Sequence, residues 1–204
     1  MLNRVSSLGV NVGPTPEVAP TPTGSAEQAW PVGLPRTASG YAARFGITSE
    51  VAPGYFERIA PGAFTESLLR DDIRALFNHE HTLLLGRTSS GTLQLREDAQ
   101  GLHYTVELPP CSYSKDLVAL VQRGDLTGCS FGMDILEETL EDDPAYPSPI
   151  HVVRRVKLYE VTIGCTFPAY EATSVEVRKA PTPTLEQALV TAPRRKMAQA
   201  WFSL

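Results

Sequence analysis

The chain has 204 residues, enough for one globular domain with a sizeable core plus tails. Hydrophobic residues make up 42% and charged residues 20%, and the net charge of −5 leaves no bulk attraction for nucleic acid or an anionic membrane. The three cysteines, Cys111, Cys129 and Cys165, are odd in number and irregularly spaced, which argues against a disulfide framework and fits a reducing compartment. No apolar run approaches the length of a membrane span, and the polar stretch after Met1–Arg4 does not read as a secretory signal.

Residues 1–37 carry Pro14, Pro16, Pro20, Pro22, Pro31 and Pro35 with little periodicity, a composition expected to stay disordered. A domain is expected over 38–179. Gly40–Phe45 and Phe56–Ile59 read as strands, and Pro61 stands near the start of a short helix running to Leu69. Ile73–Phe77 is strand-like and leads to His79. Leu83–Thr88 and Thr92–Arg96 flank Ser89-Ser90-Gly91 as a predicted hairpin, and Gly101–Leu108 is a further strand. Ser114–Arg123 places Leu117, Leu120 and Val121 at helical spacing, with Gly124 as its stop. Gly128–Leu136 and Val152–Ile163 read as strands separated by an acidic, proline-rich loop over 137–149. From Ala180 to residue 204 a short helical pattern and Arg194-Arg195-Lys196 suggest a mobile tail. Many short strands with one or two helices predict a mainly β, barrel-like α+β fold.

Two segments carry the chemistry. Asn78-His79-Glu80 follows an apolar strand, and strand parity puts His79 on the face of Ile73, Ala75 and Phe77 if the strand stays regular. In Gly128-Cys129-Ser130-Phe131-Gly132, parity gives Ser130 only glycine neighbours, while Cys129, Phe131, Met133 and Ile135 form an apolar face. The serine is therefore expected on an open side, with glycine amides nearby to receive an oxyanion. Glu160 shares a strand face with Val156 and Leu158, where a carboxylate is costly unless paired; an imidazole N–H would pair it. A histidine base, a serine hydroxyl and an orienting acid are the parts of a serine acyl-transfer enzyme.

Eight short pieces in order resemble the prohead proteases of tailed bacteriophages. They are Gly40-Tyr41-Ala42, Phe56–Phe64, Asn78-His79-Glu80, Leu85–Thr88, Gly101-Leu102, Arg123–Leu126, Ser130–Met133, and Leu158–Thr162 with Pro168-Ala169-Tyr170. The resemblance spans roughly 39–178. It implies a fold similar to the herpesvirus assemblins, a β-barrel wrapped by a few helices. It implies Ser130 as nucleophile and His79 as base, with Glu160 a weaker transfer because the third member varies. Met133 and Thr162 depart from the pattern conservatively. The implied substrates are the scaffolding and capsid proteins of an immature procapsid in the host cytoplasm, and the protease itself, with cleavage in the terminal tails. Self-association is a further implication. No metal or organic cofactor is required.

Other readings stand beside these. His79 and His81 could share a metal, but His103 and His151 add no metal-ligand spacing. Cys129 is a rival nucleophile by chemistry. Asp125 and Asp134 are alternative orienting acids, Glu160 could be a surface charge, and Arg87, Arg154 and Arg155 could hold an oxyanion-site water. A non-enzymatic capsid assembly factor with the same fold is the alternative function.

Overall fold

The computed structural model describes residues 30, 31, 33–170 and 172–178. The expected leader up to residue 29 and the helical pattern from Ala180 lie outside them. The elements are β1 (Thr37–Arg44), β2 (Thr48–Ala52), β3 (Tyr55–Ile59), α1 (Thr65–Arg70), β4 (Arg74–Phe77), β5 (Glu80–Arg87), β6 (Leu93–Glu97), β7 (Gly101–Glu107), α2 (Ser112–Arg123), β8 (Gly128–Glu141), β9 (Ile150–Cys165) and β10 (Glu176–Arg178). The fold is mainly β with two short helices, as the strand-rich pattern predicts.

β9 is the spine. Its β-branched run suits a strand paired on both sides, and Val153, Val156, Leu158, Val161 and Ile163 are all essentially solvent-free. β8 runs antiparallel along one edge of β9 from Ile150 to Cys165. The other edge is shared end to end by two parallel partners, β3 against Ile150–Val153 and β4 against Glu160–Ile163. β2 and β5 close the flanks of this six-stranded sheet, and β10-β1-β7-β6 form a second, four-stranded sheet.

Among the described residues the two sheets are open, so the expected closed barrel is not formed. The reason is visible at the turn Thr88–Gly91. Its Gly91 N–H donates to Thr88 O at 3.0 Å, as a tight turn requires, yet β5 pairs with β4 whereas β6 pairs with β7. The predicted hairpin is thus a crossing from one sheet to the other. A sequence pattern marks the turn but not which partner each strand takes.

A single main core fills the space between the sheets, with Ile59, Phe64, Leu102, Tyr104, Leu117 and Ile163 each at 2% exposure or less. Each such side chain contributes about 1.5–3 kcal/mol by leaving water. α2 buries Leu117 and Val118 and rests Leu120 and Val121 against the core, and Gly124 ends it in the left-handed region at φ 82°. β8 continues to Glu141, so the acidic residues 137–141 are strand rather than loop, and the loop is confined to 142–149. Pairing with the long β9 overrides their weak strand propensity.

Candidate active site

β4 ends at Phe77, and Asn78 and His79 both take positive φ, 50° and 59°. They are the two central residues of a tight turn, because Phe77 is already paired with Glu80 of β5. Strand parity therefore does not extend to His79, which leaves the apolar face it was expected to continue. Two successive non-glycine residues in this region cost about 1–3 kcal/mol each and need outside support. Asn78 Oδ1 accepts from the Thr166 amide at 3.1 Å and its hydroxyl at 3.2 Å. The His79 amide donates to Thr162 Oγ1 at 3.0 Å. The turn is thus tied to β9 and to the segment just beyond it.

His79 Nδ1 lies 2.6 Å from Glu160 Oε1. An ionised carboxylate only accepts, so Nδ1 carries the proton and a neutral ring presents the Nε2 lone pair for a second proton. The other carboxylate oxygen, Oε2, accepts from the Thr162 hydroxyl at 2.8 Å. Glu160 is 6% exposed on the central strand, so it is not a surface charge, and both its oxygens are occupied. The pair is shielded on one side only: the Glu160 side chain is almost fully covered, whereas the His79 ring is half-exposed and open to a substrate.

Ser130 stands opposite Thr162, and Gly132 opposite Glu160, in an unbroken stretch of the β8–β9 ladder. Directly opposed residues share a face, so Ser130, Thr162 and Glu160 project from the same side of the sheet. His79 joins them there through its ring and amide. Gly132 is the residue that makes room: a Cβ at this position would lie 3.0 Å from Glu160 Oε1.

Ser130 was expected on an open face, but it is only 5% exposed. Pro168 lies against the same strand. A Cβ on Gly128 would sit 2.8 Å from Pro168 Cγ, so the segment after β9 presses against the strand next to the serine. Tyr170 stacks on Phe131 at 4.9 Å, clamping the strand on its other side. Ser130 Oγ forms no hydrogen bond with the described residues. No fully shielded side-chain polar atom among them lacks a partner, so this hydroxyl keeps an opening to solvent. No hydrogen bond joins Ser130 to His79 among the described residues. Pro168 also borders a cavity of about 630 Å³ whose other wall is the edge strand β2.

The remaining candidates are placed elsewhere or otherwise engaged. Cys129 is fully buried, with Sγ 3.2 Å from both the Tyr104 hydroxyl and Ser174 O, and burial pushes its thiol up to about 12. Asp125 pairs with Arg123 at 3.0 Å, and Asp134 accepts from the Tyr159 hydroxyl. Arg87 pairs with Asp72, Arg154 with Glu141, and Arg155 with Glu137 and Glu66. His81 is exposed, and no group of three or more metal-ligating side chains occurs among the described residues. On the apolar face of β8, Met133 is half-buried against the core and Ile135 is exposed. The ladder slips between Gly132 and Met133, so the alternation does not run cleanly through to Ile135.

The pattern of the Caudovirus prohead serine proteases matches residues 33–187 of this chain. The chain belongs to that family. A search of curated proteins finds no match to it. The family is one of serine peptidases, and membership makes this chain a serine peptidase connected with procapsid maturation. No helix among the described residues is long and apolar enough to cross a membrane.

Sequence reasoning missed the part played by Thr162, noted only as a conservative departure from the family pattern. The signal was present: Thr162 lies two residues from Glu160 on one strand and so shares its face. Gly132 was read for its amide and as leaving Ser130 uncovered, not as making room for the Glu160 carboxylate. Asn78 was read as part of a motif, and its bond to Thr166 has no sequence signature because the two are far apart along the chain.

Proposed function

We propose that Ser130, His79 and Glu160 form the catalytic triad of a procapsid-maturation endopeptidase. The observation that carries this reading is the His79–Glu160 bond on the face that bears Ser130. Ser130 Oγ attacks the peptide carbonyl while His79 Nε2 takes its proton. Glu160 holds the imidazolium that forms. The tetrahedral intermediate collapses as His79 gives the proton to the leaving amine, and water then hydrolyses the acyl-enzyme by the same route.

The oxyanion needs donors. The Cys129 N–H and C=O both engage Thr173 Oγ1, at 2.9 and 2.7 Å, and so point away from β9. By alternation Ser130 and Gly132 turn theirs toward β9, and Phe131 turns its N–H to the free edge. The amide of Phe131, not that of a flanking glycine, is the donor this reading assigns. Catalytic hydrogen bonds often tighten only when substrate binds, and in this reading the Ser130–His79 bond forms at that stage.

The substrates in this reading are the scaffolding and capsid proteins inside the assembling particle in the host cytoplasm, and the chain's own terminal segments at 1–37 and 180–204. Family membership and the proline-rich, strand-poor composition of those segments support it. Confinement with substrate raises effective concentration, so modest intrinsic activity suffices. No metal or organic cofactor enters any step.

One observation favours the alternative of a non-catalytic assembly module, namely the absent bond between Ser130 and His79. Co-expression with the capsid and scaffolding proteins, followed by mass spectrometry of the products, decides between the two. The protease reading expects new fragments with wild type and a fall of at least about a thousandfold in cleavage rate for Ser130→Ala. Identical product masses for wild type and Ser130→Ala would sink it.

A further inference from the structure

Thr162 is fully buried on the central strand, opposite Ser130. Its hydroxyl does two things at once. It donates its one proton to Glu160 Oε2 at 2.8 Å, and its oxygen accepts the His79 amide at 3.0 Å. The proton can be used only once, so the direction of the first bond fixes the second: the oxygen facing His79 is an acceptor. Glu160 Oε1 meanwhile faces His79 Nδ1 at 2.6 Å. A closed loop results, from the His79 backbone through Thr162 to the Glu160 carboxylate and back to the His79 ring.

We infer that Thr162 is the positioning residue of the catalytic base. The inference deepens the triad reading and rests on it. Thr162 holds the backbone of a strained turn and the carboxylate that orients the ring, and so sets where His79 Nε2 stands relative to Ser130. Two features make the hydroxyl the operative part of the side chain. His79 has φ 59°, a conformation that needs its amide anchored. Glu160 as a whole is only 6% exposed, so water has little room to replace the hydroxyl as donor. Both bonds of the Thr162 hydroxyl go to His79 and Glu160, so it acts through them and is not itself catalytic.

The test uses the full chain and a fluorophosphonate probe, which reports the reactivity of Ser130 without a known substrate. Three variants are compared with wild type: Thr162→Val, which keeps the shape and removes the hydroxyl, Thr162→Ser, which restores it, and Ser130→Ala as the labelling control. The phosphonylation rate is expected to fall about 10- to 100-fold in Thr162→Val and to return within about threefold of wild type in Thr162→Ser. Hydrogen exchange at the His79 amide and the Nδ1–H resonance of His79 are expected to change in the valine variant and to be restored by serine. A valine variant that labels at the wild-type rate overturns the inference. So does a loss of rate with His79 exchange and resonance unchanged, or equal loss in both variants. Absence of Ser130-dependent labelling in wild type itself overturns the triad reading, and the inference with it. The two failures are therefore distinct.

Discussion

The β8–β9 ladder has two ends of opposite character. At the near end Cys129, Ser130 and Phe131 face Val161, Thr162 and Ile163, and all six are buried. Every polar side chain of Glu160 and Thr162 there is fixed by another protein group. At the far end Leu136 and Leu140 are 49% and 62% exposed, and the polar contacts lie near water: ion pairs of Glu137 with Arg155 at 3.4 Å and Glu141 with Arg154 at 3.6 Å, and a hydrogen bond between Glu138 and His151 Nδ1 at 3.2 Å. The backbone pairing is continuous along both halves apart from small slips. What differs is the solvent. Hydrogen bonds at the near end involve groups largely shielded from water, the half-exposed His79 ring apart, so they fix a geometry; those at the far end exchange with solvent and fix little.

Gly132→Ala puts the near end under the greatest stress for the smallest change. The new Cβ would lie 3.0 Å from Glu160 Oε1, 3.3 Å from its Cγ and 3.5 Å from its Cδ. The carboxylate must shift by a few tenths of an ångström, and Oε1 is the atom that holds His79 Nδ1. Replacing glycine by alanine within a strand ordinarily gains about 0.5–1 kcal/mol, which offsets the crowding, so the melting temperature should move little. The rate of Ser130 phosphonylation should fall about 10- to 100-fold. An alanine variant that labels as fast as wild type would show that the carboxylate's place does not govern the base.

Cys129→Ala separates the two candidate nucleophiles. Burial raises the thiol to about 12, so the thiolate is scarce at any pH below that value. Peptidase activity should stay within a few-fold of wild type, whereas unfolding free energy should drop by about 1–2 kcal/mol from the cavity left beside Tyr104. Iodoacetamide should leave Cys129 unmodified in the folded protein at pH 8. Loss of cleavage with an intact fold would move the nucleophile from Ser130 to its neighbour.

These expectations show what could be read from the sequence. Parity correctly separated Ser130 from Cys129, because β8 is regular over Gly128–Gly132 apart from one slip at its start. The cost of a lone carboxylate on an apolar strand correctly demanded a partner for Glu160. Parity failed at His79, where a turn with two left-handed residues replaces the strand, and an Asn-His pair carries no glycine to announce it. The cover over Ser130 was illegible for a different reason. The segment that carries Pro168 is brought back against β8 beside Gly128 by tertiary packing, which no local pattern announces. The two-sheet arrangement was hidden likewise, since the Ser-Ser-Gly turn specifies a reversal but not whether the strands on either side stay together. The elements expected in the terminal segments lie outside the described residues.

The far end supplies the smallest effect and the control for all the others. Glu137→Gln removes one of two carboxylates that face Arg155, and Glu66 remains 3.5 Å from the same guanidinium. Both Arg155 and Glu137 are about half exposed, so the attraction is screened by salt and its loss is partly made good by Glu66 and by water. The change in unfolding free energy should stay within about 0.5 kcal/mol, shrink further at high ionic strength, and leave the phosphonylation rate unaltered. Melting curves at low and high salt, with labelling on the same samples, check all three. A variant that lost activity while keeping its stability would mean that the exposed half of the ladder transmits strain to the serine. Buried and exposed hydrogen bonds on one ribbon would then no longer be separable, and the division drawn between its two ends would fail.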